Sequence, residues 1–206
     1  MTLNRSALAA TALALLAAPA FAQSQGDMTV GIGFHQVAPK SDNGSLSNGT
    51  LDVSVGDGAR PTFTFEYFIR DNIGIEVLAA TPFTHAIDID GMGRVGTTKH
   101  LPPVISIQYH FTNDSKFTPF VGAGLNYTAF FSEETEGNLA GGDLKLDDSW
   151  GLALHAGFDY ELDEHGSIRT DVRWADIDTD VSLNGDDLGT VEIDPVVFGF
   201  AYVYKF

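Results

Sequence analysis

The sequence predicts an all-β protein: an eight-stranded antiparallel transmembrane β-barrel with short periplasmic turns and long extracellular loops. Three observations carry that expectation. Apolar residues recur at every second position through most of the chain, the period of a strand with two unlike faces. The runs number eight, and their connections alternate short and long, which is the layout of a barrel that crosses an outer membrane. The greasy faces also hold more rings than the bore of so small a barrel can accept, because eight strands leave an interior just wide enough for side chains to fill.

The chain opens with an address rather than a strand. Arg5 supplies a positive start, Ala7 to Ala18 is almost entirely Ala and Leu, and Ala20-Phe21-Ala22 offers small residues where a signal peptidase reads. Residues 1–22 are therefore expected to be a cleaved secretory signal peptide, leaving residues 23–206 as one barrel domain. Arg5 is the only charged residue in the leader, so its removal takes the formal charge from −17 to −18.

The eight strands follow, centred near Ile32, Phe65, Val77, Ile105, Ala123, Leu154, Val172 and Phe200. In the first, Phe34 lies opposite Gly31, Gly33 and His35. In the second, Phe63, Phe65, Tyr67 and Ile69 oppose Thr62, Thr64, Glu66 and Phe68. The third carries Gly74, Glu76, Leu78 and Ala80 on one face. In the fourth, Leu101, Pro103, Ile105, Ile107, Tyr109 and Phe111 oppose Val104, Ser106, Gln108 and His110. The fifth sets Tyr127 and Phe131 against Gly122, Gly124, Asn126 and Thr128. In the sixth, Trp150, Leu152, Leu154, Ala156, Phe158 and Tyr160 oppose Gly151, Ala153, His155, Gly157 and Asp159. The seventh turns Trp174 away from Arg169, Asp171 and Arg173. The eighth alternates Val196, Phe198, Phe200, Tyr202, Tyr204 and Phe206 with Val197, Gly199, Ala201, Val203 and Lys205. Connections 70–72, 112–118 and 161–167 are short; 39–59, 81–100, 132–149 and 175–190 are long and rich in Gly, Asp and Asn.

Size decides which face meets lipid. The apolar faces carry 17 of the 23 aromatic residues (15 Phe, 6 Tyr and 2 Trp), too many to turn inward, whereas the opposite faces carry the glycines that a cramped lumen needs. The rings are therefore expected to point outward, with Tyr and Trp near strand ends forming interfacial girdles. A final strand ending in Phe206 looks like the signal read by barrel-assembly machinery, and an open edge in lipid would leave backbone groups unpaired, so the barrel must close.

Composition removes other classes. With 11 Lys+Arg against 28 Asp+Glu the chain has no footing on phosphates, so no nucleic-acid partner is expected. No cysteine is present, which removes disulfides and thiolate metal sites together. A mean hydropathy of +0.02 fits alternation, and no stretch of the mature chain reaches the roughly 18 uninterrupted apolar residues of a spanning helix.

Several motifs then converge. Asp71-Asn72-Ile73-Gly74-Ile75-Glu76, followed by Ala80-Thr81-Pro82-Phe83, resembles the second hairpin of the OmpW outer-membrane family. Leu101-Pro102-Pro103, Gln108-Tyr109-His110-Phe111 and the run from Pro119 to Thr128 are similar to the same family. So are Asp147-Asp148-Ser149-Trp150-Gly151, Asp176-Ile177-Asp178-Thr179 and Ile193-Asp194-Pro195, and the likeness covers nearly everything from Arg60 to Phe206. The resemblance implies an integral protein of a Gram-negative outer membrane, with a narrow hydrophobic channel that admits small apolar molecules. Some members of the family also serve as bacteriocin receptors.

Depth along the strands gives the lumen two halves. The periplasmic half collects Glu66, Glu76, Asp159, Arg169, Asp171, Arg173 and Lys205, whose opposite charges should pair into a plug, since an unpaired buried charge is costly. The outer half, the expected ligand channel, holds Leu78, Ala80, Val104, Ala153 and Val197 with Asn126 and Thr128. Pro102 and Pro103 in the fourth strand, and Pro195 in the eighth, each remove a ladder hydrogen bond and are candidates for a lateral gate. Small apolar ligands, outer-membrane lipid and lipopolysaccharide are the expected partners. The alternatives are a non-conducting structural barrel or surface receptor, and thirdly an outer-membrane hydrolase.

Other signals are read as bland. Gly91-Met92-Gly93-Arg94-Val95-Gly96 has dinucleotide-loop spacing but lacks the following helix, and is read as a flexible loop. Asp176, Asp178 and Asp180 have calcium-loop spacing, yet Val181 stands where a glycine must turn and Asp187 replaces the bidentate glutamate. His35, His110 and His155 face the lumen at different depths and are read as polar lining. No cofactor, metal or catalytic residue is expected, and no nucleophile elbow is present.

Overall fold

The computed structural model describes residues 23–206; the expected leader, residues 1–22, lies outside them. Fifteen strands are present among the described residues. In chain order they are β1 (Met28–Ala38), β2 (Ser45–Leu46), β3 (Leu51–Val55), β4 (Gly58–Arg70), β5 (Ile73–Ala80), β6 (Phe83–Ile89), β7 (Gly93–Leu101) and β8 (Val104–His110). They continue as β9 (Phe117–Thr135), β10 (Leu144–Leu146), β11 (Ser149–Glu161), β12 (Gly166–Ala175), β13 (Asp178–Leu183), β14 (Asp186–Glu192) and β15 (Val196–Lys205).

Eight of these close a barrel. Each pairs antiparallel with its neighbours in the order β1, β4, β5, β8, β9, β11, β12, β15, and β15 returns to β1 through a register from Thr29–Lys205 to Ala38–Val196. Among the described residues the eight paired strands close on themselves, the condition that hydrocarbon imposes on any spanning sheet. The eight correspond one for one to the runs read from the sequence. Both described termini and the tight connections lie at one end, where the pair Asp71-Asn72 turns with Asn72 at φ 67°.

The outward faces are apolar as expected. Phe200 is 60% exposed at the middle of β15, and none of the 17 aromatics assigned outward is buried. Tyr67, Tyr109, Tyr160, Tyr202 and Tyr204 sit toward the end that holds the tight turns. Trp150, Tyr127 and Trp174 sit toward the other end, where the rings of Tyr127 and Trp150 meet at 4.6 Å. A phenol or indole at those depths keeps its polar edge in the headgroup layer while its body stays in hydrocarbon.

The long connections are not loops throughout. They build a second storey above the barrel. β9 continues past the membrane to Thr135 and pairs there with β7, which carries β6, β3 and β2 beside it, while β10, β13 and β14 form a separate three-stranded sheet. The two sheets enclose a buried cluster that includes Leu46, Val53, Ile89, Val95, Leu144, Val181, Val191 and Ile193. The alternation that produces this storey is short and flanked by turn residues. Asn184-Gly185, both at positive φ, joins β13 to β14 as the twist of a two-residue hairpin demands. The Gly91 to Gly96 segment is likewise a hairpin tip running into β7, with Gly91 at φ 76° and Gly93 at φ 72°, instead of a loop. Asp178 and Asp180 stand in β13, so the calcium-loop spacing falls on a strand.

The orientation predicts a stability effect. Phe200→Arg places a charge against the bilayer midplane and should cost about 2–4 kcal/mol in reversible unfolding from lipid vesicles. Ala201→Ser, on the inner face one residue away, should cost less than half as much; equal costs would contradict the assignment of faces.

Candidate functional site

Glycine lets the floor of the lumen exist. A Cβ on Gly74 would fall 2.1 Å from Glu66 Oε1, and one on Gly199 would fall 2.0 Å from Asp171 Oδ1 and 2.3 Å from His35 Nε2. Those bare positions leave width for acids and imidazoles inside a bore only eight strands around.

Arg169 occupies the centre of that floor. Its Nε and Nη2 donate to the two carboxylate oxygens of Asp159 at 2.8 and 2.9 Å, its Nη1 donates to Glu76 Oε2 at 2.8 Å, and its Nη2 reaches Glu66 Oε2 at 3.3 Å. Arg173 donates through Nη1 to Glu76 Oε1 at 2.8 Å and through Nε to Asp171. His110 Nε2 lies 2.8 Å from Glu66 Oε1, and His35 Nε2 lies 3.3 Å from Asp171 Oδ1. Glu66 and Glu76 have no exposed surface at all. Two phenylalanines complete the seal. Phe68 and Phe120 turn inward, flank His110 at 5.1 and 5.4 Å, and Phe120 lies 4.6 Å beneath the Arg169 guanidinium.

Six of the seven residues expected to form the plug are joined by these contacts. The seventh, Lys205, stands at the last position of β15, pairs with Asp27 at 3.6 Å near the turn end of the barrel, and borders a pocket together with Asp159 and Arg169.

Above the ions the wall changes character. A chamber of about 590 Å³, mouth included, is bordered by Leu78, Ala80, Val104, Ala153, Pro195 and Val197, with Asn126 on one side. His35, Thr62, His155 and Arg173 make its floor, and Phe83, His100 and Ile177 border it as well. Its lining is mainly apolar with few polar groups, the usual make-up of a small-molecule site. Thr128 is buried but does not border the chamber; its hydroxyl donates to Asn126 Oδ1 at 2.7 Å and so orients that side chain.

The wall is unevenly laced near its top. The ladder between β5 and β8 stops at Leu78–Val104, although β5 runs on to Ala80. Pro102 and Pro103 fall in the break between β7 and β8 instead of inside one strand, since neither has an N–H to give. On the other side the same break stays tied, with Tyr127 N donating to the Pro103 carbonyl at 3.1 Å and Asn126 Nδ2 at 3.3 Å. Beyond the break β7 pairs with β9 and not with β5. Pro195 sits immediately before β15, where the ladders to β1 and β12 both reach Val196.

A second chamber lies between the two sheets of the outer storey, and His100 borders both chambers. His85 and His100 escaped the sequence reading because residues 81–100 look like a Gly- and Asp-rich loop. The alternation Phe83, His85, Ile87, Ile89 was the available signal. Elsewhere in this storey the carboxylates of Asp176, Asp178 and Asp194 approach within 4.8 Å of one another. Burial and the neighbouring Asp194 push the Asp178 carboxyl up, while Lys40 pairs with both Asp194 and Glu192.

The OmpW family model matches residues 24–206. The chain belongs to the OmpW family. An OmpW-family relative, outer membrane protein W of Vibrio cholerae, is 43% identical over 205 residues, covering 94% of each chain. The crystal structure of outer membrane protein OprG from Pseudomonas aeruginosa superposes with a TM-score of 0.80 at 36% identity, covering 90% of this chain and 98% of that one. A more distant relative from Pseudomonas aeruginosa, named dibenzothiophene metabolism operon protein PahQ, is 29% identical over 78% of this chain and 77% of its own. Like its OmpW relatives, this protein is an integral barrel of the outer membrane.

Removing the central cation tests the floor. Arg169→Gln strands Glu66, Glu76 and Asp159 without their shared partner and should cost about 3–5 kcal/mol in denaturant unfolding from lipid vesicles. A loss below about 1 kcal/mol would mean that the cluster does not hold the bore.

Proposed function

We propose that the barrel takes up small hydrophobic molecules, which enter the apolar chamber from outside and leave sideways into the membrane. The observation that carries this reading is the change of wall along one axis: an apolar chamber ends on a floor of buried, mutually bonded charges. Each 100 Å² of apolar surface buried in the chamber is worth about 2.5 kcal/mol. Passing straight through would require opening ion pairs whose disruption costs about 3–5 kcal/mol. Acyl chains beyond the wall solvate an apolar molecule about as well as the chamber does, so the sideways path is nearly level.

The seam for that path is the end of the β5–β8 ladder, at Ala80 on one side and Pro102 and Pro103 on the other. A Pro195 gate would have to open beside ladders that already reach Val196, so the prolines before β8 are the better candidates. No catalytic step belongs to this reading. The name of the dibenzothiophene-operon relative supports a link to apolar compounds. In the same reading, the last strand with Phe206 is the segment presented to barrel-assembly machinery, and the acidic outer storey faces lipopolysaccharide.

The test is entry of N-phenyl-1-naphthylamine, which fluoresces on reaching lipid, into cells with and without the protein. The protein should raise the rate several-fold, and Leu78→Asp should remove most of the gain by placing a charge in the apolar wall. Equal rates with and without the protein would overturn the reading.

A further inference from the structure

The upper chamber is walled by Val53, Ile87, Val95, Phe130, Leu144 and Val181 among others, and nearly all of its lining is hydrocarbon. The exceptions that matter are two imidazoles. His85 and His100 both border it, their ring centroids are 4.8 Å apart, and His100 also borders the lower chamber. Both side chains are 2% exposed. Their settings are fixed by rings, with Phe83 at 5.4 Å and Phe130 edge-on at 5.6 Å from His100.

Neither imidazole is fully satisfied by the protein. His85 Nδ1 bonds the Gly56 carbonyl. A carbonyl oxygen only accepts, so Nδ1 carries the hydrogen and Nε2 is a bare lone pair. That Nε2 has no partner, nor does either nitrogen of His100. Both rings are neutral near pH 7: burial, and then the neighbouring His85, hold His100 down to about 3, and burial lowers His85. A neutral His100 offers one N–H and one lone pair. The pair thus needs a group that donates and accepts at once. A carboxylate, ketone or ester accepts only, an ammonium donates only, and an alkane does neither.

We propose that His85 and His100 form a binding site for the hydroxyl group of a small apolar alcohol. Its O–H donates to His85 Nε2, its oxygen accepts from the His100 N–H, and its hydrocarbon occupies the flanking chambers. The inference rests on the uptake reading for how the alcohol arrives, and adds a substrate class to it. Sites built to hydrogen-bond a hydroxyl discriminate against analogues that lack it, because their own polar groups are then left unpaired. Two neutral hydrogen bonds in this setting amount to about a tenfold preference.

The full chain, with ¹⁵N-labelled histidine and in lipid vesicles, is titrated with 1-octanol and with octane at matched membrane mole fractions. Octanol should shift the His85 Nε2 and His100 resonances and bind about tenfold more tightly than octane. His100→Phe removes one of the two bonds and should cut the preference for octanol to about threefold, leaving octane unchanged. Equal binding of the two by the wild type, or octanol binding that leaves both imidazoles unmoved, overturns the assignment while sparing the uptake reading. Binding of neither compound overturns both, and the wild-type comparison needs no variant to fold.

Discussion

Charge in a bore this narrow has no bulk water to solvate it, so each buried carboxylate must find a cation or a hydrogen bond within the wall. The cluster centred on Arg169 answers that demand with Asp159, Glu76 and Glu66, and Arg173 extends it to Asp171. Much of the lumen follows from fitting these groups together. Gly74 and Gly199 are bare because Glu66 and Asp171 stand where their Cβ atoms would be. Phe68 and Phe120 share the parity of the lumenal residues Glu66 and Gly122, turn inward, and pack their flat rings beside His110 and, for Phe120, against the Arg169 guanidinium.

The same cluster divides the bore by chemistry. On its turn-end side lies a polar pocket bordered by Asp159, Arg169 and Lys205; above it the wall is Leu78, Val104 and Ala153. Two apolar chambers therefore stack above a charged floor, with His100 on the boundary between them. Apolar cargo in such a cup gains from the wall and meets a rising cost at the floor, and the shortened β5–β8 ladder offers the nearest seam to lipid.

Much of this was legible in the sequence, for a physical reason. A membrane barrel writes its two environments in alternation, so Phe198, Phe200 and Tyr202 against Gly199 and Ala201 reveal strand, register and face together. Opposite charges at similar depth on different strands also announce that they pair, so Glu66, Glu76, Asp159 and Asp171 read together with Arg169 and Arg173, while which acid meets which arginine depends on side-chain geometry that alternation does not carry. The outer storey was harder to read. Its strands are short, and Gly91, Gly93 and Gly185 at their tips carry the composition of loops, so the alternation of Phe83, His85, Ile87 and Ile89 is easily passed over. Strand ends are less legible: Lys205 shares the parity of Val203 and Ala201, and its partner Asp27 precedes the first strand, where alternation has not begun. Thr128 has lumenal parity, yet its hydroxyl is engaged by Asn126 and does not meet the chamber.

The sideways route is the claim on which the account of function turns, and a reversible seal across the seam tests it most directly. The chain has no cysteine, so Ala80→Cys with Pro102→Cys provides one thiol pair spanning the end of the β5–β8 ladder. Entry of an apolar fluorophore should fall to the level of cells lacking the protein when the disulfide is formed, and should return on reduction. Entry at the same rate in the oxidised and reduced states, with the disulfide verified, would contradict the route.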